Sequence, residues 1–317
     1  MIITVTLNPA IDQTLVLPKF TAGDTLRVKA SRFDPGGKGI NVSRVIHELG
    51  GESVAMGFAS GGLGRFLEQS LETLGIERDF VHTKGETRTN IALVDEERHT
   101  TTLLSAPGPD TDQAAVDEIR GRLRKRMRAG DWLVLAGSIP PPLTGAVYGK
   151  MIVEASEMGV HTVLDADAGP LIAGAAAHPQ IVKGNRREFE RLVGRTLDEE
   201  ESTLEAVKEI HERGVPIVLA TRGRHGAVAV YDGHVLRGIA PRVRAVSAVG
   251  SGDAFLAGVV LTLSRGGSME DAMRLGIAAG TAAVLTPGTE LCHRREVDIL
   301  YPRVRVESTQ QPVASRS

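Results

Sequence analysis

The stretch Val249-Gly250-Ser251-Gly252-Asp253-Ala254-Phe255-Leu256-Ala257-Gly258 decides how the rest of the chain is read. Two glycines and a serine turn the backbone tightly, and the small apolar residues from Ala254 to Leu263 then predict a buried helix. The first N–H groups of such a helix have no partner inside it, so its start attracts anions, phosphate above all. A carboxylate there would repel the anion if it were only one more ligand. Asp253 is better suited to take a proton from a hydroxyl that attacks a phosphate. On these residues alone it serves equally as a carboxylate that complements the helix dipole.

Working outward, strands and helices alternate through the second half of the chain. Trp132–Ala136, 162–165, 181–183 and 217–220 read as strands, with helices over 114–128, 143–158, 203–213 and 269–285 and a hairpin around Asp232-Gly233. This alternation predicts a three-layer α/β/α sandwich on a mainly parallel sheet. Ile2–Leu7 is a further core strand. Between it and the first helix lie short strand-like pieces, 14–17 and 26–33, and a hairpin spans 87–104. Together they predict a small four-stranded β-lid, from about 12–34 and 87–105, on a single domain of residues 1–304. Residues 305–317 are polar and aperiodic and are expected to form a disordered tail.

Composition excludes several classes. The 317 residues are 42% hydrophobic and 24% charged with a net charge of −2, and no basic run is interleaved with aromatics, so a nucleic-acid partner is not expected. The arginines from 120 to 128 follow Asp117 and Glu118 and read as the solvated face of a helix. Cys292 stands alone, which rules out a disulfide framework and a cysteine zinc site. No apolar run approaches the ~20 residues of a membrane span, and the start lacks a signal pattern. A reducing, cytoplasmic location is the expectation.

Polar or glycine-rich corners follow several strands: Asp12, the 36–41 loop, Gly137-Ser138, Lys183 to Glu188, Thr221 to Gly226, and 249–253. In a parallel sheet such corners collect along one edge, where ligands bind. Pro35-Gly36-Gly37-Lys38-Gly39-Ile40-Asn41 is neither a Walker A motif nor a dinucleotide fingerprint, yet it makes a close-approach polar site at a helix start. Arg88 suits a phosphate or is a surface arginine. Asn185 and Glu188 share a helix face; the pair fits Mg²⁺, which keeps much of its water, or equally a helix cap.

Thr6-Leu7-Asn8-Pro9-Ala10-Ile11-Asp12, the 35–42 block, Thr87-Arg88-Thr89-Asn90, Gly137-Ser138-Ile139-Pro140 and Val249–Asp253 carry a more specific likeness. In order and spacing the chain resembles the PfkB/ribokinase family of sugar kinases over roughly residues 2–303. It is most similar to the 1-phosphofructokinase and tagatose-6-phosphate kinase branch. The resemblance implies a ribokinase-like fold with its β-lid, and ATP- and Mg²⁺-dependent phosphorylation of a ketohexose phosphate. Fructose 1-phosphate is the first choice of acceptor, and tagatose 6-phosphate or fructose 6-phosphate the alternatives. A non-catalytic sugar- or nucleotide-binding regulator is a reading from another class, which the intact Gly-Ser-Gly-Asp argues against.

The resemblance also assigns roles. Asp253 matches the catalytic base, and the N–H groups of Gly250, Ser251 and Gly252 match the anion hole. Asp12, Gly37, Lys38, Asn41 and Asn90 match sugar contacts, while Arg88 and Ser138 match groups holding the phosphate already on the sugar. Lys183, Asn185, Thr221, Gly223, Gly226 and Thr281 match nucleotide contacts, and Asn185 with Glu188 the element associated with Mg²⁺, through water. Ser247, Val249, Ala283, Thr286 and Gly288 lie where relatives hold a monovalent cation such as K⁺. Relatives pair their lids, so a homodimer is expected.

Overall fold

A computed structural model describes residues 1–310 of the chain. The first strand, β1 (Ile2–Thr6), is buried at every position. The chain then builds the lid hairpin β2 (Ala10–Leu17) and β3 (Ala30–Gly36) before α1 (Lys38–Glu48), β4 (Val54–Ser60), α2 (Gly61–Thr73) and β5 (Glu77–Thr83). A second hairpin, β6 (Arg88–Asp95) and β7 (Thr100–Leu104), rejoins the lid. Helices and strands follow in turn: α3 (Gln113–Arg126), β8 (Trp132–Ala136), α4 (Ala146–Glu157), β9 (His161–Asp165), α5 (Ala168–Ala175), β10 (Ile181–Asn185), α6 (Arg186–Val193), α7 (Glu200–Glu212) and β11 (Ile217–Thr221). The hairpin β12 (Ala227–Tyr231) and β13 (His234–Ile239), the helices α8 (Ser251–Ser264), α9 (Met269–Ala283) and α10 (Arg294–Leu300), and β14 (Arg305–Gln310) complete it.

The main sheet has ten strands in the order β14-β13-β12-β11-β10-β9-β8-β1-β4-β5. It is parallel from β5 through β11 and antiparallel from β12 on. Its strands alternate faces, as period-2 side chains must. In β8, Leu133 and Leu135 pack with α3 to α7, while Trp132, Val134 and Ala136 pack with α1, α8, α9 and α10. This is the three-layer sandwich that the alternation predicts. The poverty in aromatics is met by close helix packing: a Cβ on Gly258 of α8 would lie 2.8 Å from Gly276 Cα of α9. That contact brings two helices together and seats the start of α8 over the sheet.

The lid is the four-stranded sheet β3-β2-β6-β7, with β2 and β6 parallel and both outer pairs antiparallel. Its third piece differs from the sequence expectation: β3 begins at Ala30, not Leu26, and runs on through Pro35-Gly36. Pro35 is tolerated because β3 is an edge strand, where a missing N–H breaks no ladder. Asp12 is likewise not at the end of a core strand. It sits within β2, opposite Asp34 and Asn90 on the neighbouring lid strands.

The expected tail also needs correction. Residues 305–310 pair antiparallel with β13, and Val306 packs on the core. An edge strand like β13 offers a row of unpaired backbone groups, and a polar segment satisfies them without any hydrophobic period of its own. Residues 311–317 lie outside the described residues. The basic run does form the solvated face of a helix, with Arg120, Arg122 and Arg126 of α3 paired to Glu154, Asp79 and Glu77. Among the described residues no helix is long and apolar enough to cross a membrane.

Candidate active site

Thr6, at the end of β1, accepts a hydrogen bond from the Ile40 N–H of α1 at 3.0 Å. Gly39 has to be glycine for this, since a Cβ there would lie 2.6 Å from the same hydroxyl oxygen. Helix α1 therefore starts hard against the sheet edge, with Lys38 and Asn41 on its first turn. On the facing side, Gly250 takes φ 74° as the N-cap of α8, a conformation that glycine adopts without strain. No side chain caps α8, so its first-turn N–H groups are available to a ligand.

The two helix starts meet at Asp253. Asn41 Nδ2 donates to Asp253 Oδ2 at 2.8 Å, in a buried contact. Burial pushes the Asp253 carboxyl up to about 6; Lys38 and Lys183 pull it down in part, and Asp165 adds to the rise. A carboxylate held near 6 is mostly ionised at neutral pH yet basic enough to accept a proton, as a general base requires.

Beside it runs a chain of opposite charges. Asp165, at the end of β9 and wholly buried, accepts from Lys38 Nζ at 2.7 Å and from Lys183 Nζ at 3.0 Å. Burial would raise this carboxyl, but the two ammonium groups, Lys183 first, hold it below the usual range. Lys38 also reaches Glu188 Oε1 at 3.4 Å. Burial works against its charge, and Asp165, Asp253 and Glu188 outweigh that and keep it protonated. Lys183 Nζ lies at the start of α8, 2.9 Å from where a Cβ of Gly252 would stand.

The structure thus divides the residues assigned to the sugar. Lys38 belongs with Asp253, Asp165 and Glu188, beside the start of α8. Asp12, Asn90, Arg88 and Ser138 form a second group under the lid. Asn90 Nδ2 donates to Asp12 Oδ1 at 2.8 Å, and burial raises the Asp12 carboxyl against the pull of Asn90, Arg88 and Arg44. Gly36 and Gly37 carry no side chain into this corner, and a Cβ on Gly36 would lie 2.2 Å from Asp12 Oδ2. Arg88 donates to three carbonyls, Ala106 O at 2.6 Å, Asn8 O at 3.0 Å and Pro9 O at 3.4 Å. Asp12 acts on its charge, but no carboxylate makes a direct ion pair with it among the described residues. Ser138 is exposed after β8, and its Oγ accepts from Asn8 Nδ2 at 3.1 Å.

On the far side, Thr221 ends β11 and donates to Gly184 O at 3.4 Å, and Gly223 and Gly226 shape the turn that follows. Thr281 is buried on α9. The loops carrying Ser247 and Val249, and Ala283, Thr286 and Gly288, are bound together. Ser247 Oγ donates to Gly288 O at 2.9 Å, and Thr286 Oγ1 donates to Ala283 O at 2.8 Å.

Asn185 and Glu188 form a reciprocal helix cap: Glu188 N donates to Asn185 Oδ1 at 3.1 Å, and Asn185 N donates to Glu188 Oε2 at 2.7 Å. The capping alternative therefore holds. Among the described residues Glu188 Oε1 keeps only the longer contact to Lys38, which leaves it free to accept from a water of a divalent cation's shell. Among the described residues no cluster of three or more acidic, His or Cys side chains makes a protein-only metal cage. Oxygen donors in so small a number suit Mg²⁺, which binds through few protein groups.

Sequence reading missed two members of this site. Asp165 stood only at the end of the 162–165 strand, and Asn8 only within the Thr6–Asp12 motif, without a role. A lone Asp or Asn at such a position has ordinary structural uses, and only strand order brings Asp165 between two lysines.

The pfkB family carbohydrate kinase profile matches residues 5–295. The chain is 32% identical to 1-phosphofructokinase from Borreliella burgdorferi, covering 97% of this chain and 98% of that one. It is 29% identical to tagatose-6-phosphate kinase from Staphylococcus epidermidis, covering 96% and 99%. Escherichia coli phosphofructokinase-2 in complex with substrates and products superposes with a TM-score of 0.91 at 30% identity, covering 95% of this chain and 98% of that one. Its complex with potassium superposes with a TM-score of 0.90. With fold, motif order and sequence in agreement along its length, the chain belongs to the pfkB family of carbohydrate kinases.

Proposed function

We propose that the protein is an ATP-dependent 1-phosphofructokinase, which transfers the γ-phosphoryl group of ATP to the free primary hydroxyl of fructose 1-phosphate and yields fructose 1,6-bisphosphate. The observation that carries this reading is Asp253: a buried carboxylate with its pKa raised to about 6, in the first turn of an uncapped helix.

Asn41 holds Asp253 Oδ2, leaving Oδ1 to accept the hydroxyl proton. The N–H groups of Gly250, Ser251 and Gly252 receive the phosphoryl oxygens as charge builds on them. Lys38 and Lys183, both anchored on Asp165, supply positive charge at the same point. Arg88 and Ser138 grip the phosphate already on the sugar, and Asp12 and Asn90 face its hydroxyls. Lys183, Asn185, Thr221, Gly223, Gly226 and Thr281 border the nucleotide. Glu188 and Asn185 would hold Mg²⁺ through water, and the ion would supply charge neutralisation on the nucleotide phosphates. Phosphoryl transfer needs little more than this positioning and neutralisation.

The reading extends to K⁺ at the Ser247–Gly288 loops, supported by the potassium complex of the E. coli relative, and to work in the reducing cytoplasm. It includes a homodimer through the lid, whose Phe33, Leu103 and Leu104 are about half exposed. A coupled ADP-release assay over fructose 1-phosphate, fructose 6-phosphate, tagatose 6-phosphate and fructose tests the acceptor. The highest kcat/KM is expected for fructose 1-phosphate, and a clear preference for another member of the panel overturns the choice.

A further inference from the structure

Asn8 is 3% exposed and lies between the two groups that the proposed function assigns to the sugar phosphate. Its side-chain Nδ2 donates to Pro107 O at 2.8 Å and to Ser138 Oγ at 3.1 Å. Its backbone carbonyl accepts from Arg88 Nη2 at 3.0 Å. The orientation of the amide is not arbitrary. Pro107 O can only accept, so the NH₂ group has to face it, and the second hydrogen of that group is the one Ser138 receives. The other end of the amide, Oδ1, is buried with no hydrogen-bond partner among the described residues. Gly108 packs so closely there that a Cβ on it would lie 2.2 Å from Oδ1.

We propose that Asn8 is a positioning residue that sets the preference for a phosphorylated acceptor. While Ser138 Oγ accepts from Asn8, its hydroxyl hydrogen cannot point back at the amide. The group it presents to the cleft is therefore a donor. The same residue, through its carbonyl, holds the Arg88 guanidinium, which has Asp12 nearby but makes no direct ion pair among the described residues. Residue 8 so couples a neutral donor and a cation into one anion receptor at the end of β1. An acceptor that brings a phosphate satisfies both. One that brings only a hydroxyl leaves the cation with its carbonyl partners and no direct ion pair. This inference rests on the proposed function, since it takes Arg88 and Ser138 as the sugar-phosphate contacts.

The test is a cycle of Asn8→Ala, Ser138→Ala and the double variant, with Arg88→Ala alongside, measured for KM of fructose 1-phosphate, KM of ATP, kcat, and kcat/KM on unphosphorylated fructose. Asn8→Ala is expected to raise the sugar-phosphate KM about 10-fold or more, the scale of a lost hydrogen bond to a charged group. It should leave the ATP KM within about twofold and the fructose kcat/KM nearly unchanged, a split that a merely structural role would not produce. In the Ser138→Ala background, Asn8→Ala should add less than about twofold, because the two residues act as a unit. Where Asn8→Ala does not fold, Asn8→Ser, which fills more of the space but is too short to reach Ser138, carries the same expectations. Fully additive effects, or equal losses in both KM values, overturn the role of Asn8. If Arg88→Ala itself leaves the sugar-phosphate KM unchanged, the assignment of this corner to the phosphate fails. If only the Asn8 variants are silent, that assignment stands and this inference falls.

Discussion

Asn41 and Asp253 are 212 residues apart in the chain and 2.8 Å apart in the fold, joined by one buried hydrogen bond between the starts of two facing helices. The bond engages one carboxylate oxygen with the amide, and in the proposed reaction the other takes the substrate proton. Asp253→Asn keeps the shape and removes the base. Turnover is expected to fall by roughly 10²–10⁴ with the circular dichroism spectrum and cooperative unfolding retained. Near-normal kcat in that variant would remove Asp253 from the role.

The raised Asp253 pKa sets the acid side of the pH profile. The base is lost when protonated, so kcat/KM should decline as pH falls through about 6. Asn41→Ala removes a bond that favours the ionised form, so the acid limb should move to higher pH. The stability sign is opposite to that of a salt-bridged aspartate. A folded pKa above the unfolded value means the ionised carboxylate costs stability at pH above about 6. That cost vanishes below the unfolded value. Asp253→Asn should therefore unfold at a higher temperature than wild type at pH 8, and the difference should shrink toward pH 4. An unmoved acid limb in Asn41→Ala would show that this bond does not tune the base.

Asp165 is the shared counter-ion of Lys38 and Lys183. Lys38 keeps Glu188 if Asp165 is neutralised, but Lys183, with a side chain 3% exposed, loses its ion pair. Breaking a buried pair from one side strands a charge, and Asp165→Asn should cost about 3–5 kcal/mol in urea unfolding. Adding Lys183→Met should recover part of that loss. A single variant as stable as wild type would show that solvent, not Asp165, carries the lysine charge.

The lid has the exposed apolar residues Phe33, Leu103 and Leu104 on its two edge strands. Covering them by a second lid predicts a mass of two chains in light scattering at micromolar concentration. Phe33→Asp with Leu103→Asp should shift that mass to one chain. A monomeric wild type at the same concentration would rule the clasp out.

Much of the sandwich was legible because its physics is local. β8 runs from Trp132 to Ala136 as its apolar run predicts, bounded by a glycine turn. Other elements lacked such a signal. Helix α5 is built of Ala, Gly, Pro, Leu and Ile without a clear polar face, so no 3.6-residue period marks it. β14 is polar because its place is the sheet edge, and polarity reads as a tail until a partner strand is known.

By itself the sequence determined the tight turn at Gly250, the helix start that follows, and the ordered set of corners on one sheet edge. Those depend on backbone sterics and on hydrophobic period, which neighbours in the chain decide. The tertiary structure alone decided which corners meet. It joined Lys38 to Asp165 and Glu188, set Asp165 between two lysines 127 and 18 residues away, and tied Arg88 and Ser138 to Asn8. Those contacts follow from strand order and helix packing, and an ion pair across that separation leaves no local pattern in the chain.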